Sequence, residues 1–196
     1  MKFRAIAVVA AATALSGCGI NSVPTAEENA KARWADVQAA YQRRADNIPA
    51  IVSTVKGSAA SEGKILTDVI NARSNATKVQ INATDLTDPS KVAAFQQAQG
   101  QVGSSLSRLL ATVEAYPQLQ SQQNFRELIS EIEGSNNRIT IAIRDYNTAV
   151  QAYNTKIRTF PDAIGAKVFY GAKPMVPFQA QAGAETMPTV DFGNSN

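Results

Sequence analysis

Apolar and small residues recur at steps of three and four through most of this chain. The first run is Trp34, Val37, Tyr41, Ala45, Ile48, Val52, Val55, Ala59, Leu66, Val69, Ala72, Ala76 and Val79, with one polar slot at Glu62. That is the period of a helix with one buried face. Ahead of it, Pro24-Thr25-Ala26-Glu27-Glu28 has the form of a capping box and predicts a helix start at Thr25. Asp85-Leu86-Thr87-Asp88-Pro89 breaks the pattern and restarts it, with Asp88 as N-cap and Pro89 in the first turn, where a missing N–H is no loss. The second stripe is Val92, Phe95, Val102, Leu106, Leu109 and Val113, ended by Tyr116-Pro117. A third begins near Ser121 and runs through Phe125, Leu128, Ile132, Ile139, Ile143, Tyr146, Val150, Tyr153 and Ile157, interrupted by Asn136. Phe160-Pro161 closes it. After Lys167, Gly171, Pro174, Pro177 and Pro188 fall with no sustained period, which predicts an irregular tail with at most extended segments or a short strand.

These patterns predict an all-α fold, an antiparallel bundle of three to four long helices with an irregular C-terminal tail. The helix count turns on the first stripe, since an unbroken helix from Thr25 to Thr84 would be ~90 Å long at 1.5 Å per residue. Such a rod must bend near Pro49, turn around Gly57 to Gly63, or project an N-terminal arm. The stripe stays in phase across Pro49, favouring a bend there over a reversal. Pro49 also removes the N–H that would serve the Ala45 carbonyl, so an arginine, serine or water is expected to take that acceptor.

The N-terminus changes the picture of where the bundle resides. Lys2 and Arg4 precede an apolar run from Ala5 to Leu15, which is too short for a stable membrane span, and then Leu15-Ser16-Gly17-Cys18. Leu15 to Cys18 resembles a bacterial lipobox, which implies cleavage before Cys18 and palmitate-type acylation there. Several acyl chains at ~0.8 kcal/mol per buried methylene hold a protein firmly to a bilayer. Residues 1–17 are thus expected to be a lipoprotein signal peptide, 18–24 a short anchored linker, 25–166 the bundle and 167–196 the tail. Gly19 stands where some inner-membrane retention signals place an aspartate, which leans toward the outer membrane.

Processing also removes most of the charge imbalance. The chain has 19 Lys and Arg against 16 Asp and Glu, and loss of Lys2 and Arg4 leaves 17 against 16. No basic field remains to attract nucleic acid. The chain has no histidine, and its only cysteine is Cys18, so Ser-His, Cys-His and free-thiol chemistry are missing. No phosphate loop and no metal-ligand grouping occurs in the sequence. The expectation is a non-enzymatic protein with neither cofactor nor metal.

The residues then resemble the LemA family of bacterial envelope proteins. The likeness is carried by Trp34, Val37, the run Tyr41-Gln42-Arg43-Arg44-Ala45-Asp46-Asn47-Ile48-Pro49, Val55-Lys56-Gly57, Glu62 and Ala72-Arg73. It continues through Leu109-Leu110, Glu114 to Pro117, Phe125, Leu128, Glu133 to Ile139, Tyr146-Asn147, Tyr153-Asn154 and Phe160-Pro161, more weakly to Phe192. The resemblance implies an antiparallel helical bundle facing away from the cytoplasm. Members commonly carry an N-terminal transmembrane helix and a histidine before the position of Glu62. Here a lipid on Cys18 stands for the former, and Ser61 occupies the latter.

Several residues remain candidates for function. Arg43 and Asp46 share a helix face while Arg44 points about 100° away, and the cluster reads either as a solvated kinked helix or as a contact surface for a protein partner. Glu62, Arg73, Asn136 and Arg138 read either as a structural polar layer or as a ligand-binding or hydrolytic site between helices. Gly134 suggests close approach of another backbone or side chain. Tyr146-Asn147 and Tyr153-Asn154, seven apart, place both tyrosines on one face, as core residues with hydroxyls at the bundle edge. The leading function is an envelope scaffold or adaptor for a partner.

Overall fold

The computed structural model describes the backbone of residues 2–58 and 63–179, and the side chains of 21–57 and 63–179. Glu62, the Cys18 side chain and the chain beyond Gln179 lie outside the described residues. Helix α1 runs Lys2–Ser58, α2 Gly63–Lys78, α3 Pro89–Val113, α4 Pro117–Gln120, α5 Gln123–Lys156 and α6 Asp162–Gly165. A 3-10 turn, Ala83–Thr87, precedes α3, and a π turn, Ala166–Tyr170, follows α6. Residues 171–179 have no regular structure, and no strand occurs among the described residues.

The four long helices form an antiparallel bundle. Val23 to Val37 of α1 share a core with Tyr146 to Tyr153 of α5 and with Val92 and Phe95 of α3, while Ile48 to Val55 share a second core with Phe125 and Ile132, α2 and the rest of α3. So α1 and α5 run in opposite directions, with Trp34 opposite Tyr146. α1 is continuous through Pro24 and Pro49, and the reversal falls after Ser58. The capping box expected at Thr25 is not formed. Its hydroxyl instead donates back to the Asn21 carbonyl at 2.7 Å, because Pro24 removes one N–H without stopping the helix. Asp88 caps α3 as expected, accepting from Ser90 N at 2.9 Å and Lys91 N at 3.3 Å, with Pro89 at the first position.

The aromatic core is closed by the segment 171–179. Phe178 enters it, stacked on Trp34 and edge-on to Phe95 and Tyr146. The two Tyr-Asn pairs of α5 grip its backbone. Asn154 donates to Met175 O at 2.8 Å and accepts from Met175 N at 2.9 Å; Asn147 does the same with Phe178 at 3.0 and 2.8 Å. Tyr146 and Tyr153 donate to the Val176 and Lys173 carbonyls. The seven-residue repeat is therefore a ladder that holds an extended strap, satisfying backbone groups that no sheet serves. Gly171, at φ 54°, takes the left-handed turn that admits the strap, a conformation open to glycine.

Candidate functional site

Arg73 completes the helix that Pro49 interrupts. Its Nε donates at 2.7 Å to the Ala45 carbonyl, the acceptor that proline leaves without an N–H. Half-buried on α2, it ties the middle of α1 to its neighbour.

Immediately before Ala45, an arginine occupies a core position. The inward steps of α1 are Val37, Arg44, Ile48, Ile51 and Val55, so Arg44 rather than Ala45 fills the slot, at 6% exposure. Its Nη2 donates to both the backbone and side-chain oxygens of Gln99 on α3, each at 3.0 Å, and its guanidinium lies 5.1 Å from the Tyr41 ring centre. No carboxylate pairs with it among the described ion pairs. Burial lowers its pKa, with Tyr41 opposing that only by raising it, and burial likewise raises the pKa of Tyr41. A buried cation held only by neutral acceptors leaves part of its desolvation cost uncompensated.

Arg44 and Tyr41 line a groove of about 610 Å³ between α3 and α5. Its α3 wall carries Gln96, Gly100, Gly103 and Ser107, its α5 side Ile143, and its end Phe178 and Gln179 of the strap. Those α3 positions step by four, three and four, a polar and small strip flanking the apolar stripe. Gly103 borders the guanidinium, and a Cβ there would stand in ordinary contact, 3.8 Å from Arg44 Nη1. The amide nitrogen of Gln96 is buried without a partner, and so are Asn47 Nδ2 and Ser135 Oγ. The register set by Trp34 and Tyr146 puts Asn47 and Ser135 at nearly the level of Arg44. Of the three, only Gln96 lines the groove, whose floor therefore offers the donors of Arg44 and Gln96. That floor suits an acceptor-rich or anionic group.

The remaining candidates are dispersed. Asn136 is exposed, and the slot assigned to it belongs to Ser135, at 1% exposure, because α5 steps inward by three from Ile132 and then by four to Ile139. Arg138 is exposed on α5 and shares a shallow depression with exposed Arg43 of α1, flanked by Asp36 and Asp145. Arg43 and Asp46 form no ion pair among the described residues; Asp46 accepts from Gln42 at 2.7 Å. Arg73, on α2, does not join Asn136 and Arg138, so these three residues do not line a common cavity. The close approach expected at Gly134 is not present, since a Cβ there meets nothing within 4 Å. Among the described residues no cluster of potential metal ligands occurs, and no helix is long and apolar enough to cross a membrane.

The polar face of α3 escaped the sequence reading, although Gln96, Gly100, Gly103 and Ser107 carry its helical period. Comparison with known proteins gives partial likenesses to magnetosome proteins. MamQ 2 and MamQ 1 of Paramagnetospirillum magneticum are each 36% identical over 64 residues, and MamQ of Magnetospirillum gryphiswaldense is 31% identical over the same length. Each likeness covers 33% of this chain and 24% of the relative, so the chain spans about a quarter of the length of these relatives. The LemA family pattern, by contrast, matches residues 33–192, across both cores, the groove and the strap, and the chain belongs to the LemA family.

Proposed function

We propose that this chain is a lipid-anchored adaptor of the bacterial envelope that holds a protein partner in the groove between α3 and α5. Family membership and the likeness to magnetosome proteins support the coarser part, a membrane-associated envelope protein. The finer part rests on one observation, the buried Arg44 guanidinium on the floor of that groove with no carboxylate beside it. An aspartate or glutamate of the partner supplies the missing charge, and charge-assisted bonds of this kind are about twice as strong as neutral ones. Gln96 adds a second donor, and the small α3 residues let an extended segment lie close. The lipid on Cys18 keeps the groove at the membrane surface; the absence of any histidine or free thiol supports binding rather than catalysis.

A photocrosslinker at Ser107, on the groove wall, tests this in intact cells. It should capture a defined partner that is lost in Arg44→Gln, while a crosslinker at Ser130, which lies away from the groove, captures none. Equal capture with and without Arg44 would exclude the groove as the binding surface.

A further inference from the structure

Five large apolar side chains are exposed within eleven residues at one end of the bundle. Phe160 is 81% exposed, Val168 68% and Phe169 65%, with Ile164 and Tyr170 beside them. The other two large apolar residues exposed among the described residues, Ile70 and Ile141, stand singly, as surface residues commonly do. The rim is also basic. Arg158, Lys167 and Lys173 are exposed around it, while its single acid, Asp162, is paired with Lys156 at 3.6 Å.

The location of this rim decides what it can meet. Ala166 belongs to the same core as Val23, Ala26 and Ala30, and α6 packs on α1. With Trp34 opposite Tyr146 in antiparallel register, residue 157 stands opposite Val23, so 160–170 lies beyond it, at the level of the residues that lead into the bundle. Along α1, Cys18 is five residues before Val23, or ~7.5 Å at 1.5 Å per residue. Whatever holds the N-terminus to a bilayer therefore brings the rim against that bilayer.

We propose that the 160–170 rim is a membrane-docking surface. Phe160, Val168 and Phe169 enter the interfacial layer, while Arg158, Lys167 and Lys173 lie over anionic headgroups. Aromatic and basic side chains are the residue types that suit that layer. A bundle held only by its N-terminus would be free to tilt; one also seated on its rim stands end-on, with the Arg44 groove held at a fixed height. The inference rests on N-terminal anchoring, and its test separates the two.

The full chain, purified with its anchor, is reconstituted into vesicles of phosphatidylethanolamine and phosphatidylglycerol. Acylation of Cys18, the only native cysteine, leaves a thiol introduced by Phe169→Cys or by Ser130→Cys free for an environment-sensitive fluorophore. Val168→Cys replaces Phe169→Cys if the latter fails to keep the wild-type melting curve. Lipid-borne quenchers should act roughly twofold or more strongly at 169 than at 130, with a blue shift at 169 alone. Water-like emission at both positions, with the protein floating alongside the vesicles, would overturn rim docking and leave the anchor intact. A blue shift at 169 without lipid quenching would assign the rim to self-association and overturn the proposal. Failure to float would remove the anchor, and this inference with it.

Discussion

The two halves of the core are built from different materials. Near the N-terminal end, Trp34, Phe95, Tyr146 and Phe178 pack ring against ring, and hydroxyl, indole and amide groups tie the core to irregular backbone. Toward the other end, Ile48, Ile51, Val55, Leu66, Leu109, Leu119 and Ile132 form a mainly aliphatic core, with Phe125 its one buried ring, enclosed almost wholly by helices. The difference teaches what each half must do. Helices satisfy their own backbone, so aliphatic burial suffices between them. A strap and a loop do not, so the aromatic half supplies polar tips, Trp34 Nε1 and Gln38 Nε2 both donating to Ile81 O.

The sharpest way to break this contrast is Trp34→Ala. Large aromatic truncations in cores cost about 3–5 kcal/mol, and here the loss should also free the strap. Ile132→Ala should cost a comparable ~2–5 kcal/mol while leaving residues 171–179 protected from hydrogen exchange. Loss of strap protection in both variants would show one undivided core. Asn154→Ala tests the ladder, because it leaves both polar groups of Met175 without partners. A cost of ~1–3 kcal/mol, with proteolytic nicking in 171–179, is expected.

The tyrosines give the aromatic half a pH signature. Burial raises the pKa of Tyr41, Tyr146 and Tyr153 in the fold, so above the unfolded value of about 10 the unfolded chain releases protons that the fold retains. It then binds fewer protons than the native state, and stability falls as pH rises. Tyr146, with burial as its cause, should contribute up to ~1.4 kcal/mol per pH unit in that range. Denaturant midpoints from pH 9 to 11 check this, and Tyr146→Phe should flatten the slope.

The helical parts of the fold were legible because helix period and proline or aspartate punctuation are local signals. Pro49 even announced the acceptor that Arg73 fills. The irregular, extended character of the tail was legible from Gly171, Pro174 and Pro177, but its docking as a strap was not, since that comes from Asn147 and Asn154, twenty to thirty residues distant. The site was legible in part. Tyr41 and Arg44 stood in the conspicuous charged run, but choosing Ala45 as the inward residue hid the buried arginine, and choosing Asn136 hid Ser135. Both slips are one residue, about 100° around a helix, which a stripe of mixed three and four steps does not resolve.

The smallest predicted effects sharpen the seam between the halves. Arg73→Met should cost ~1.5 kcal/mol, because the Ala45 carbonyl loses a charged donor. Gly134→Ala should stabilise by ~1 kcal/mol, since its Cβ meets open space in a helix interior. Thermal or urea melts measure both.

The central claim is that Arg44 is kept for binding rather than for folding, and the stability of Arg44→Met tests it most directly by urea denaturation. Replacing a buried cation that lacks a carboxylate with an apolar chain of similar volume should leave the midpoint unchanged or raised. A fall of ~2 kcal/mol or more would show that its bonds to Gln99 serve the fold, and would contradict the account.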